Sequence, residues 1–556
     1  MSFSGTIVTK YSMINGINMN TFMFSKCKIK LGDDDSMKVL LINPPRYLWR
    51  WLQEEDSYLL PQALPCLAAV LREAGVDVKP IDCLPLKIGW KSLERIIRRE
   101  QPDIVGAVVS ESMYSSEALK LCRLVKEIDP KIFTVVGGPH FSNLVEETLQ
   151  NNFVDFVVIG EGEYTLLELV KETEKLRPNF KKIKGIGFRN KYGKVVITRP
   201  RPLIENLDEL PLPAYDLMPM KEYGKSPLIF SPTGATIHHS RGCMDNCNFC
   251  VCWKQMAERR IRNKKMIYIP RWRTKSVERT LEEIELLYRK YKKWFLTFTD
   301  DTWNTNPKWN MEFTKEVKEH RLEFQWFAFM RADFILRDEK LGIFKNLVES
   351  GLAHVFIGAE RACDAEFYKL NKKNYSVKVI EKCSKLLNKK YPQIFTQASF
   401  IVGLRDDDKK SIIEIAKFAK KLDIDYPSLH PLMPIPGTEQ WEIAKKNGWL
   451  EINDFSLFNW VTPVMSTKYL SRDELEELIL LINRGMLTHP KRFVHKLFSK
   501  YNYKRRMSWW VFLNVSKFLP IEIVTRIAQS LGLYKENWIG WNEKNWILRK
   551  PKWYDH

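Results

Sequence analysis

Arg241-Gly-Cys-Met-Asp-Asn-Cys-Asn-Phe-Cys250 is the stretch on which the reading of this chain turns. It sets Cys243, Cys247 and Cys250 in the spacing Cys-x3-Cys-x2-Cys, with the aromatic Phe249 just before the last thiol. Three thiolates on one short loop hold three irons of a 4Fe–4S cluster and leave the fourth without a protein ligand. Such an open iron is a place where a small molecule binds and receives an electron. An enzyme is therefore expected, because a cluster that only carries electrons normally takes four cysteines. A zinc site or a disulfide pair are the competing readings. Zinc wants a fourth Cys or His ligand, which Cys252, His238 or His239 would supply.

Downstream, the flanks imply a fold. The loop follows an apolar strand, Ala235-Thr-Ile-His-His-Ser240, and a strand–helix rhythm continues after it. Strands are read at 294–301, 325–331, 354–361, 396–404 and 429–438, with an amphipathic helix running to Tyr288. The rhythm suits a partial (β/α) barrel, where polar groups at strand carboxyl ends are active-site residues. Those ends carry Asp300-Asp301, Arg331, Glu360 and Gly403. A carboxylate such as Asp301 there binds a cation or takes a proton. A pair that only caps the next turn is the structural alternative.

Upstream, from Met37 to Lys175, apolar runs at 39–42, 76–81, 104–109, 133–136 and 156–159 alternate with helical stretches. Five such repeats argue for a doubly wound parallel sheet, whose ligands bind at the strand carboxyl ends. Ser110, Gly137-Gly138-Pro139-His140 and Gly160-Glu161-Gly162-Glu163 stand there, and glycines let a large ligand approach the backbone.

The cysteine spacing is identified as that of the radical S-adenosylmethionine (SAM) superfamily. The resemblance implies that the open iron is chelated by the amine and carboxylate of SAM. One electron then splits SAM into methionine and a 5′-deoxyadenosyl radical, which takes a hydrogen atom from an unactivated carbon. Residues 37–175 resemble the cobalamin-binding domain found ahead of many radical SAM domains. The matching runs are Asn-Pro-Pro, Leu-x-x-Leu-Ala-Ala-x-Leu-x-x-Ala-Gly-Val, Val-Gly-Gly-Pro-His and Gly-Glu-Gly-Glu-Tyr-Thr. Asp-Asp, Ile-Gly-x-Glu and Pro-Ile-Pro-Gly-Thr match further on, so the likeness spans residues 37–480. It implies three cofactors: the 4Fe–4S cluster, SAM and cobalamin. It places SAM contacts at Phe249, Asp301, Arg331, Glu360 and Gly403, and cobalamin contacts at Ser110, Gly137, Gly138, Gly160, Glu161 and Gly162. Two departures stand out. Asp-x-His-x-x-Gly is absent, so the lower face of cobalt is expected to lack a histidine, and His140 is read as loop packing. Val402-Gly-Leu-Arg-Asp-Asp-Asp408 stands where relatives have Gly-x-Pro-Gly-Glu. A module that only shapes the active site is the alternative for residues 37–175.

At 556 residues the chain exceeds one compact core. Its ten cysteines are not spaced as a disulfide framework. The net charge of +21 favours an anionic partner. From Lys491 the chain is basic and Trp-rich: Trp509-Trp510, Trp538, Trp541, Trp546 and Trp553. Tryptophan beside cations suits a lipid headgroup boundary, while core tryptophans of an ordinary domain are the plain reading. Nucleic acid, which stacks bases on aromatics, ranks behind both. Residues 1–36 show no secretory signal, and no run of eighteen apolar residues predicts a transmembrane helix. A cytoplasmic location with peripheral contact at the inner membrane face is expected.

The fold class is thus α/β: an N-terminal doubly wound parallel-sheet domain, a partial (β/α) radical SAM barrel and a helical C-terminal region. The segments are 1–36 (disordered extension), 37–175 (cobalamin-binding-like), 176–230 (Pro-rich linker), 231–455 (radical SAM) and 456–556 (basic, Trp-rich). The tail and the resemblance to archaeal tetraether-lipid ring and calditol synthases and to hopanoid methylases suggest radical modification of a membrane lipid. Carbon–carbon bond formation in a tetraether lipid is the leading expectation, since an alkyl chain offers no acidic C–H. Cobalamin-dependent C-methylation of a lipid, peptide or metabolite and oxidative cyclisation of a porphyrin ester are the enzymatic alternatives. A cluster-stabilised binding factor is the non-enzymatic one. The expected partners are a lipid or other apolar substrate and a low-potential electron donor of ferredoxin or flavodoxin type.

Overall fold

The computed structural model describes residues 37–49, 58–109, 111–224, 234–263, 265–487, 495–516 and 548–556. The extension 1–36, Ser110, Trp538, Trp541 and Trp546 lie outside the described residues. The first sheet is built from β1 (Lys38–Asn43), β3 (Asp77–Asp82), β4 (Ile104–Ala107), β5 (Phe133–Val136) and β6 (Phe156–Val158), with the short β2 (Leu48–Trp49) beside it. β7 (Ile186–Arg189) and β8 (Val195–Ile197) complete the order β3-β1-β4-β5-β6-β7-β8. Val39 to Ile42 of β1 are wholly buried, as a strand covered by helices on both faces must be. β3-β1-β4-β5-β6 pair in parallel. The direction of winding reverses between β1 and β4, which is where such sheets bind ligands.

β7 and β8 are antiparallel and extend the sheet at the β6 edge. They lie within residues 176–230, which the sequence reads as a Pro-rich linker. The buried Tyr215 hydroxyl donates to Glu283, and the buried Tyr223 hydroxyl donates to Asp82 at 2.8 Å, tying the two sheets together.

The second sheet runs β9 (Gly234–Ile237), β14 (Phe295–Phe298), β15 (Gln325–Met330), β16 (Leu352–Glu360), β17 (Phe395–Val402) and β18 (Tyr426–Pro431), each parallel to its neighbour. Between β9 and β14 come β10 (Ser240–Gly242), a hairpin of β11 (Glu258–Arg262) and β12 (Lys265–Ile269), and β13 (Trp272–Thr274). Six parallel strands in sequence order, each returning through an outer helix, form a partial barrel. Alternation sorts the side chains. Trp326, Ala328 and Met330 face the helical layer, whereas Phe327, with Phe295 and Phe395, faces the concave side.

The helix Asn502–Ser516 packs on that concave side through Tyr503, Met507, Trp510 and Val511. It is anchored by Asp425, which lies 2.9 Å from the ammonium groups of both Lys496 and Lys504. Burial alone would raise the Asp425 pKa, but the two lysines and the Thr396 amide outweigh it and hold it at about 2. This carboxylate therefore stabilises the fold above its unfolded value of 3.8, and the stabilisation is lost as pH falls towards 2. Asp425→Asn is expected to cost about 3 kcal/mol. Hydrogen exchange should show the loss as faster labelling confined to Asn502–Ser516 and the barrel floor.

The chain end returns to the first domain. β19 (Leu548–Arg549) pairs with β2, and Tyr554 is buried against Trp90. Trp90 and Ser92 amides donate to the carbonyls of Tyr554 (2.9 Å) and His556 (3.0 Å), satisfying orphan donors at the start of the helix Trp90–Glu100. Trp510 and Trp553 thus pack within the protein, one against the barrel floor and the other against the main core. Among the described residues no helix is long and apolar enough to cross a membrane.

Candidate functional site

The cysteine loop is held from both ends. Asp300, at the end of β14, accepts from the amides of His239 (3.1 Å) and Ser240 (2.6 Å) and from the Ser240 hydroxyl (2.6 Å). That pins the strand leading into the loop and uses Asp300 structurally. Its neighbour Asp301 points the other way, into a cavity. Gly242 has φ +88°, and a Cβ there would stand 2.2 Å from the Arg271 carbonyl oxygen, so a side chain is excluded one residue before Cys243. On the far side, Asn248 donates to the carbonyls of Leu370 and Lys369, and Asn371 donates to the Asn246 carbonyl at 2.9 Å. The Cys250 amide donates to the Cys247 carbonyl at 3.2 Å, and the Trp253 indole donates to the same oxygen at 3.0 Å.

Burial, together with the charge of the neighbouring Cys250 thiol, pushes Cys243 up to about 11 and Cys247 up to about 12. Thiols crowded in a buried loop ionise together only when a cation joins them. Iron would supply that charge, so the donor set fits a cluster held by Cys243, Cys247 and Cys250.

The five residues expected at SAM divide three ways. Asp301 lines the cavity, and burial followed by the adjacent Asp300 raises its pKa to about 6. Arg331 and Glu360 stand at the ends of β15 and β16 beside the cysteines, each tied to its own partner. Arg331 pairs with Asp333 at 2.8 Å and with Asp245 of the cysteine loop, and Glu360 pairs with Lys372 at 2.7 Å. Phe249 and Gly403 are placed by packing. Phe249 sits half-buried among Leu370, Ile401 and Leu432. Gly403 lies under Leu475 of the helix Arg472–Leu487, where a Cβ would meet the Leu475 side chain at 2.8 Å. The unusual run after Gly403 is explained locally: Asp407 binds the buried Arg361 (2.6 and 2.8 Å), and Asp408 caps the next helix.

The cavity measures about 1010 Å³. One wall is the carboxyl edge of the first sheet, including Asn43, Gly137, Gly138, Gly160, Glu161 and Gly162; the other includes Thr236, Arg241, Thr299 and Asp301. Gly138, at φ +94°, crosses so near the Val109 carbonyl oxygen that a Cβ would stand 2.6 Å from it. This glycine edge over a switch-point crevice fits a large planar ligand such as cobalamin. Glu161 lines the cavity with its side chain already engaged. Its carboxylate is taken by Arg241 (2.8 Å), Arg273 (3.0 Å) and the Ile204 amide (2.9 Å). His140 is buried edge-on against Phe455, and burial lowers its pKa to about 4. It does not line the cavity.

Sequence reading missed the deeper lining: His354, Gln397, Tyr426, Ser428 and His430, spread along β16 to β18, closed by Met507 and Trp510. The signal was there. Tyr426-x-Ser428-x-His430 repeats at the strand period, which marks one face.

Residues 56–170 match the B12 binding domain family, and residues 237–419 match the radical SAM superfamily. An uncharacterized methyltransferase of Pyrococcus horikoshii is 32% identical over 474 residues, spanning 84% of this chain and 96% of that one. The anaerobic magnesium-protoporphyrin IX monomethyl ester cyclase of Rubrivivax gelatinosus is 29% identical, covering 80% of this chain and 76% of its own. The hopanoid C-3 methylase of Methylococcus capsulatus is 26% identical, covering 78% and 77%. Among solved structures, the radical SAM methyltransferase TsrM from Kitasatospora setae, with cobalamin and a 4Fe–4S cluster bound, superposes with a TM-score of 0.62 at 16% identity, over 87% of this chain and all of that one. The chain belongs to the radical SAM superfamily, in the group whose members carry a B12-binding domain ahead of the barrel. It is an enzyme whose cofactors are a 4Fe–4S cluster, SAM and cobalamin, and it needs a reducing partner.

Proposed function

We propose that the protein is a cobalamin-dependent radical SAM C-methyltransferase. The observation that carries this reading is the continuity of the cavity. The glycine edge of the first sheet, Asp301 beside the cysteine loop and the barrel floor line one space. Methyl transfer needs the methyl donor and the substrate carbon in a single chamber, held in reacting geometry. Bound there, cobalamin would supply the methyl group, and the cluster with SAM would supply the radical that opens the C–H bond. Overall, a substrate C–H becomes C–CH3. One SAM leaves as S-adenosylhomocysteine, a second leaves as methionine and 5′-deoxyadenosine carrying the abstracted hydrogen, and two electrons come from the reducing partner. The residues of this chain hold the parts: the three cysteines the iron, the glycine edge the large planar ligand, and Arg331 and Glu360 the rim of the cysteine loop.

Ring closure in a tetraether lipid is supported less well. The cavity is about 1010 Å³, and pockets of about 300–1,000 Å³ serve drug-sized ligands. Cobalamin and SAM would take up much of that space, so a membrane-length chain would not enter whole. The relative named for a lipid is itself a methylase. Methyl-deuterated SAM separates the readings. Methyl transfer puts the label into a product heavier by one methylene unit; ring closure leaves the product unlabelled and lighter by two hydrogens. An unlabelled product would overturn the proposal.

A further inference from the structure

The floor of the barrel carries a built hydrogen-bonding edge. His354 is buried, with Nδ1 3.2 Å from the Tyr503 hydroxyl and Nε2 3.2 Å from Gln397 Oε1. An amide oxygen only accepts, so Nε2 carries the proton, and Nδ1 accepts from Tyr503. Burial lowers the His354 pKa to about 3, which keeps the ring neutral. With its oxygen held by His354, Gln397 keeps its amide NH2 free to donate, and the residue lines the cavity. One strand over, His430 Nδ1 donates to the Trp460 carbonyl at 3.0 Å, which leaves Nε2 to accept from the Ser428 hydroxyl at 2.9 Å. The Ser428 hydroxyl also stands 3.4 Å from the Ala398 carbonyl, so its proton is engaged by that oxygen or by His430, and Oγ is an acceptor at the cavity wall. Gln397 pairs with Tyr426 across β17 and β18, so Ser428 stands one same-face position further along. Met507 and Trp510 close the space, and among the described residues no Asp, Glu, Lys or Arg lines the floor.

We propose that this floor is the substrate-recognition subsite and takes an uncharged carboxamide or lactam edge on a compact apolar body. The substrate carbonyl accepts from the Gln397 amide, and its N–H donates to Ser428 Oγ. The inference rests on the cavity being the methyl-transfer chamber, and it narrows the substrate class of that reaction. Among the described residues an anion finds no cation at the floor and a cation finds no carboxylate, and a bare alkyl chain leaves the Gln397 donor unpaired, at a cost in binding. Tyr503 belongs to the C-terminal helix, so the tail sets the orientation of the recognising amide through His354.

The test uses the full chain reconstituted with cluster, SAM and cobalamin, and four probes of one shape: benzamide, benzoate, benzamidine and toluene. Binding is read by calorimetry and ligand-observed NMR. Benzamide should bind at least roughly tenfold more tightly than the other three, the worth of one well-made hydrogen bond. Gln397→Leu should weaken benzamide by about the same factor. Gln397→Glu should invert the order and select benzamidine, a reversal that misfolding does not produce. Cobalamin absorption and melting temperature report whether each variant is folded. Equal binding of benzoate or toluene, no binding of benzamide, or indifference of benzamide to both substitutions would overturn the proposal. The benzamide pattern without methyl label in any product would leave the subsite standing and sink methyl transfer.

Discussion

Replacing Cys243, Cys247 or Cys250 by alanine, one at a time, is expected to take the reconstituted protein from about four irons per chain to none and SAM cleavage to background. If each thiol holds one iron as its sole protein ligand, no neighbour compensates. The loop itself should survive, because its shape comes from groups that these changes leave in place: the Asp300 pin, the Gly242 passage and the Asn248 and Asn371 bonds. Cys252→Ala is the decisive control. Cys252 is one of the residues, with His238 and His239, that would complete a four-ligand zinc site, whereas a three-cysteine cluster would not use it. Metal analysis and the visible spectrum check both arms. Loss of the metal in Cys252→Ala, with zinc rather than iron in the parent, would overturn the cluster assignment.

What was legible in the sequence follows from what local pattern records. The parallel strands were readable because both faces are buried, so that β1 is a continuous apolar run. The cysteines were readable because a cluster dictates spacing along one loop. The β7–β8 hairpin was hidden inside a proline-rich stretch whose punctuation looks like a linker. Glu161 sits at a strand end where ligands bind, and nothing local says that Arg241, 80 residues away, consumes its carboxylate. Composition described the C-terminal tryptophans but not their direction. Trp510 turns into the barrel, and its role became visible only with the concave face of the sheet in place. The floor residues were missed for a different reason. Attention to the residues that follow each strand passes over polar groups within it, although a polar residue at every second position of a buried strand already implies a lined interior.

Arg241→Leu should be the most damaging substitution away from the cysteines. Arg241 sits two residues before Cys243 and reaches across to the first domain, with one guanidinium nitrogen 2.8 Å from Glu161 and another 2.6 Å from Glu163. All three side chains are buried. Removing the cation leaves two carboxylates at the domain interface with Arg273 bonded to only one of them, a change worth about 3–5 kcal/mol. The pH dependence gives the sharper signature. In the parent, burial would raise the Glu163 pKa, but Arg241 outweighs it and the folded value lies below 4.5. Glu163 then contributes stability above pH 4.5 that is lost as pH falls through the lower folded value. Without Arg241, burial acts on Glu163 with less opposition and its folded pKa rises above the unfolded one. The contribution changes sign: it is present below 4.5 and lost as pH rises through the raised value. Denaturant unfolding across the acidic range should therefore show the gap between parent and variant widening as pH increases. Arg241→Lys should recover part of the loss, since a single ammonium does not span both carboxylates as the guanidinium fork does. Cobalamin affinity should fall with stability in Arg241→Leu, because the same contacts hold the glycine edge against the cysteine loop. An unchanged unfolding midpoint, or a gap that does not vary with pH, would show that the two domains are joined chiefly by other contacts.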